Sequence, residues 1–118
     1  MPIYPRILLV GEHDKGFGEP FAPSTVSGKR LRKILTTLPI NWSLTNMMTP
    51  SSKEPNRRDI SRLKRLAKHN DKVVLLGHKV QSLVLPILPQ GIKLPHPASR
   101  RKIDLITLHE GLVQLSKP

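Results

Sequence analysis

Leu8-Leu9-Val10-Gly11-Glu12-His13-Asp14-Lys15 reads as an apolar strand that stops at a glycine and delivers carboxylates into the turn beyond it. A continuous apolar run over Arg6–Val10 is what a strand covered on both faces requires. Working outward, Gly11 to Pro23 is a loop rich in Gly, Pro and charge, and Ser24 or Ser27 can cap a helix after it. That helix places Leu31, Ile34, Leu35 and Leu38 on one stripe and Lys29, Arg30, Arg32 and Lys33 on the other face. Ile40–Met47 predicts a second strand, with Trp42 and Leu44 on one side and Ser43 and Thr45 on the other.

A polar loop, Thr49–Pro55, leads to Asn56, which with Asp59 three residues on forms a weaker variant of the capping box. The helix behind it is expected to bury Ile60, Leu63 and Leu66 with Ala67, and to show Arg57, Arg58, Arg62, Lys64, Arg65 and Lys68 to solvent. Lys72–Leu76 is the clearest strand and ends at Gly77. A short helix from His78 to Leu85 is closed by Pro86 and Pro89. Ile92–Leu94 is a fourth strand, left through Pro95-His96-Pro97. Ser99 can cap a last helix with Leu105, Leu108, Leu112 and Leu115 along one face. Strand and helix alternate throughout, which predicts an α/β three-layer sandwich around a mainly parallel four-stranded sheet.

Composition narrows the function classes. A chain of 118 residues buries only about two thirds of its unfolded surface, so a single domain over 1–118 is expected. Twenty Lys and Arg against eight Asp and Glu make nucleic acid the leading partner, through phosphate neutralisation and counterion release. RNA and an acidic protein are the other polyanions this charge fits. Cysteine is absent, which excludes disulfides, thiolate catalysis and cysteine-ligated clusters. No apolar run approaches membrane length and no targeting segment opens the chain, so no membrane is expected and the expected location is cytoplasmic or nucleoid-associated. The aromatic residues are only Tyr4, Phe17, Phe21 and Trp42, too few platforms for stacking a long single strand. One recognised base suits them better.

Ligands of open parallel sheets bind outside the carboxyl ends of the strands. The loops Gly11–Phe21, Asn46–Pro55 and His96–Arg101 leave such ends and are expected to meet in one crevice. Glu12 and Asp14 are carboxylates able to orient water or to stabilise a developing cation, or simply to cap the turn. Phe21 can stack on a flat ring or belong to the core. Asn46 offers a donor and an acceptor to a base edge, or closes an Asx-turn. His96, its backbone fixed between two prolines, can donate to a developing oxyanion. Ser27-Gly28-Lys29 lacks the spacing of a phosphate loop, with Pro23 where the first glycine belongs and Arg30 where Ser or Thr belongs. His13 and Asp14 lack the companions of a metal set, so neither a metal nor another cofactor is expected.

The order of these motifs resembles the uracil-DNA glycosylase superfamily, and most closely its iron–sulfur branch. The resemblance runs through Gly11-Glu12, Pro20-Phe21, Ser27-Gly28-Lys29-Arg30-Leu31, Thr45-Asn46, Pro55-Asn56-Arg57, Leu75-Leu76-Gly77 and His96-Pro97-Ala98. It implies a uracil-DNA-glycosylase-like fold and a minimal DNA glycosylase that hydrolyses the N-glycosidic bond of uracil or a modified pyrimidine after base flipping. By that resemblance Glu12 or Asp14 assists water, Phe21 stacks on the flipped base, Asn46 reads its edge and His96 stabilises the departing base. Ser99, Arg100 and Arg101 occupy the segment that enters the duplex. Lys102, Arg57 and Arg58 are further candidates for binding DNA. The branch's cluster cysteines are absent, His13-Asp14-Lys15 replaces Ala-Pro-Gly, and Ala98 stands where Ser is usual. A non-catalytic nucleic-acid-binding module on the same fold, or a subunit that docks on an acidic protein, are the alternatives.

Overall fold

A computed structural model describes residues 4–12, 20–47 and 54–117. Its four strands are β1 (Arg6–Gly11), β2 (Asn41–Asn46), β3 (Lys72–Leu76) and β4 (Ile92–Leu94). The helices are α1 (Val26–Leu35), α2 (Arg57–Lys68), α3 (His78–Val84) and α4 (Lys102–Leu115), one after each strand. Every strand pairing is parallel and the order across the sheet is β2-β1-β3-β4. The expected α/β three-layer architecture is therefore present.

Strand order and handedness together assign the helices to faces. A right-handed crossover from β1 to β2 puts α1 on one face; the return from β2 past β1 to β3 runs the other way, so α2 lies on the opposite face. The chain continues in the same direction to β4, which keeps α3 with α2. Two cores result. Ile7, Leu9, Val74, Leu76 and Leu94 meet Leu31 and Leu35 of α1 and Leu108 and Leu112 of α4. Leu8, Val10, Val73 and Leu75 meet Leu63 of α2 and Val80 and Val84 of α3. The alternation of side chains along a strand is what divides β1 between them.

The boundaries match expectation closely, with instructive shifts. The α1 cap is Thr25, not Ser24 or Ser27: its Oγ1 accepts the Gly28 N–H at 3.0 Å, the third amide of the helix. Gly28 itself sits against backbone. A Cβ there would lie 1.9 Å from the Ala22 carbonyl oxygen, so only glycine lets the preceding turn close on α1. The capping box of α2 is complete, with Asp59 N–H donating to Asn56 Oδ1 at 2.9 Å and Asn56 N–H to Asp59 Oδ2 at 3.0 Å. Ile60, expected inside, is only half-buried, while Asp59 is 1% exposed.

Ser99 does not cap α4 directly. The helix starts at Lys102 behind Arg101, and Ser99 Oγ accepts the Arg101 N–H and donates to Asp104 Oδ2 at 2.6 Å, bracing the entry from outside. Several arginines expected in solvent hold loops instead. Arg30 donates to the carbonyls of Pro97 and Ser99, and Arg32 donates to that of Phe21 at 3.0 Å while lying 5.9 Å above the Trp42 ring. Arg62 bridges Asp59 and the Asn46 carbonyl. A guanidinium that satisfies loop carbonyls replaces hydrogen bonds no sheet supplies.

Candidate functional site

The sheet order places a topological switch point between β1 and β3, where the connections leave in opposite directions. Gly11 and Gly77 end these two strands. Gly11 pairs in register with Asn46, the last residue of β2. Strand parity puts the Cα hydrogen of Gly11 that a side chain would replace on the Ile7–Leu9 face, the face of α1 and α4. Asn46 shares that face through Trp42 and Leu44, and His96 follows Leu94 onto it at two-residue spacing.

Phe21 closes the group. A Cβ on Gly11 would lie 2.8 Å from Cε2 and Cζ of Phe21 and 3.5 Å from Oδ1 of Asn46. The ring thus occupies the space a side chain would take at Gly11, with the Asn46 amide beside it. On its other side the Phe21 ring stands 6.1 Å, centroid to centroid, from the imidazole of His96, tilted by 44°. Phe21 has φ of 47°, a left-handed conformation rarely taken by a bulky residue and one that recurs at functional sites. Gly77, at φ 94°, fits under His96: a Cβ there would lie 3.3 Å from the histidine Cβ.

The Ala98 N–H donates to His96 Nδ1 at 3.0 Å. With Nδ1 an acceptor, the proton of the neutral ring is on Nε2, which makes that atom a donor. Beside His96 opens a cleft of about 580 Å³ lined by Gly77, His78, Lys93, Ser99, Arg101 and Asp104 among others. Its cationic groups suit a phosphate next to whatever occupies the crevice.

The predicted site residues therefore separate into sets. Phe21, Asn46 and His96 are brought together on one face. Glu12 is not with them: strand parity turns it toward the opposite face, where its Oε1 accepts from Lys79 Nζ at 2.6 Å. Asp14 lies outside the described residues. Ser99 and Arg101 line the cleft next to His96, and Lys102 borders a different groove on α4. Arg100 is exposed at the turn before α4. Arg57 and Arg58 line a groove of about 430 Å³ with Ser61, Arg62 and Arg65. Arg62 joins this groove to the crevice, because its other hydrogen bond is to the Asn46 carbonyl.

Lys79, His78 and Lys93 were missed by sequence reasoning. The exit of β3 is a single glycine with no loop to attract notice, yet it ends a central strand like the others, and that rule alone points to Gly77-His78-Lys79. Among the described residues no group of three His, Asp or Glu is placed to hold a metal ion, and no helix is long and apolar enough to cross a membrane. No family model, curated protein or solved structure matches this chain.

Proposed function

We propose that this protein takes one unstacked base of DNA into the crevice at the carboxyl end of its sheet and hydrolyses the N-glycosidic bond, as a minimal member of the uracil-DNA glycosylase superfamily. The observation that carries the reading is the convergence of the Phe21 ring, the Asn46 amide and the His96 imidazole around Gly11 and Gly77. A flat ring to stack on, a side chain with one donor and one acceptor, and a neutral N–H donor are the three groups that recognition of a pyrimidine and stabilisation of its anion call for.

In this reading the bond from the sugar anomeric carbon to the base nitrogen breaks with its electron pair leaving on the base. The negative charge spreads to a ring carbonyl oxygen, where the Nε2–H of His96 donates. Water adds to the anomeric carbon and its proton passes to a carboxylate. Glu12 is engaged by Lys79, and its pairing gives Asp14 equal claim to that role. The cleft of Lys93, Arg101 and His78 receives the adjoining phosphate, and the arginine groove of α2 the strand beyond it. RNA would enter the same grooves by the same phosphate contacts.

The test is base release from labelled oligonucleotides carrying uracil, 5-hydroxymethyluracil or hypoxanthine, single- and double-stranded, with abasic sites read by alkaline cleavage. Release at one base is expected, reduced on the order of a hundredfold in His96→Ala and in Asn46→Ala, and in one of Glu12→Gln and Asp14→Asn. Release that is indifferent to His96 and Asn46 would sink the reading. The engagement of Glu12 by Lys79 favours a second reading, a non-catalytic module that binds nucleic acid through the same crevice. That reading predicts salt-sensitive binding that Phe21→Ala weakens, with no base released from any substrate.

A further inference from the structure

The outward face of α4 has no function in the glycosylase reading. Leu108 and Leu112 are buried against the sheet, and the opposite stripe of the helix is open. Ile103, Ile106 and Val113 are 55%, 44% and 37% exposed, three of the five exposed large apolar side chains among the described residues. Ile106 and Val113, with Lys102, Leu105, His109, Glu110 and Gln114, border a groove of about 800 Å³. Spacings of three and four residues from Ile103 through Ile106 and Glu110 to Val113 are those of a helix-packing seam.

Charge singles out this face. In a chain of net charge +12, α1 has four basic residues and no acidic one, and α2 has six basic and one acidic. The α4 helix has Lys102 against Asp104 and Glu110, and it is the one helix whose formal balance is not positive. The basic faces of α1 and α2 repel their counterparts on a second copy. Lys102, Ile106 and Glu110 follow one another at four-residue intervals, so the two charges flank Ile106 on one line, each about 6 Å from it along the axis. Neither Lys102 nor Glu110 has an ion-pair partner among the described residues.

We propose that α4 is a self-association surface: two copies pack their α4 helices antiparallel about a two-fold axis at Ile106. The two-fold sets Ile106 against its own copy, Lys102 of each protomer against Glu110 of the other, and Ile103 against His109. An isologous contact needs a patch complementary to itself, and opposite charges symmetric about an apolar centre are such a patch. A single helix pair is at the small end of specific interfaces, so the dimer is weak and concentration-dependent. The inference is independent of any catalytic activity.

Sedimentation velocity at physiological salt tests it, over protein concentrations from about 1 µM to about 1 mM, the range in which a small interface associates. A monomer–dimer equilibrium is expected. Ile106→Glu should abolish it while leaving the circular dichroism spectrum unchanged. Lys102→Glu and Glu110→Lys should each weaken it by about tenfold or more, since each sets two like-charge pairs across the two-fold. The double variant Lys102→Glu/Glu110→Lys should return to within a few fold of the parent. A monomer throughout the range would overturn the proposal and leave the face to a different partner. A double variant no better than the single ones would overturn it equally, because the two charges would then not face each other.

Discussion

At Gly11 the missing side chain is what allows the Phe21 ring to close on the end of the sheet beside the Asn46 amide. Gly11→Ala forces the Phe21 ring to move, because a methyl 2.8 Å from two of its carbons is well inside van der Waals contact. Overpacking of this kind costs about 1–3 kcal/mol, and urea unfolding of Gly11→Ala should show a loss of that size. Gly11→Ala/Phe21→Leu, which removes the two ring atoms in question, should recover part of it. An unchanged midpoint in Gly11→Ala would mean that Phe21 does not rest there. The pairing of Gly11 with Phe21 was legible only as motif order. Nothing in the run Gly11–Phe21 says which turn brings the ring back over the strand it left, and that contact is made in space rather than along the chain.

At the scale of elements, α2 shows how a local signal and a distant one meet in a single residue. Asn56 and Asp59 cap the helix by a rule three residues long, and the rule was readable in the sequence. Arg62, on the same helix, reads as solvated in the sequence because one turn after another of α2 carries charge. In the structure it neutralises Asp59, which is 1% exposed, and reaches the Asn46 carbonyl at the end of β2. Arg62→Met removes both bonds and leaves a buried carboxylate short of a partner. Its own partial exposure holds the expected loss to about 1–3 kcal/mol, measurable by thermal or urea unfolding. Asn56→Ala, which deletes a cap alone, should lose about 1 kcal/mol. A loss for Arg62→Met no larger than for an exposed neighbour such as Arg65→Met would show that the bridge contributes nothing.

For the whole molecule, the charge is not spread evenly and the sheet order decides where it can act. The arginine groove of α2 and the cleft of Lys93 and Arg101 lie on either side of the crevice, joined to it by Arg62 and His96 respectively. If phosphates occupy both, binding to a duplex falls steeply with salt. Arg57→Gln/Arg58→Gln should then reduce the slope of log K against log salt by roughly 0.9 for each phosphate no longer neutralised, uniformly across sequences. Lys93→Gln should flatten it likewise, and Phe21→Ala should weaken binding without changing the slope. Equal slopes for the parent and the arginine variant would remove α2 from the interface.

The alternation of four strands with four helices, the parallel sheet and the α2 cap were determined by the sequence alone, because each rests on periodicity or on partners a few residues apart. Asn46 and His96 were identifiable as residues at strand exits, and Phe21 as the end of the loop that leaves β1. Whether they would meet was decided by the tertiary structure. The order β2-β1-β3-β4 sets Gly11 beside both Asn46 and the β3 exit, and the parity of each strand then sends Asn46 and His96 to one face and Glu12 to the other, toward Lys79. Parity is a local property, but the identity of the neighbour is not: it depends on which crossover passes over which face of the sheet, and that follows from right-handed packing of the whole chain. For the same reason Arg30, Arg32 and Arg62 read as surface charge in the sequence and serve as loop anchors in the fold, since the carbonyls they satisfy lie up to 69 residues away.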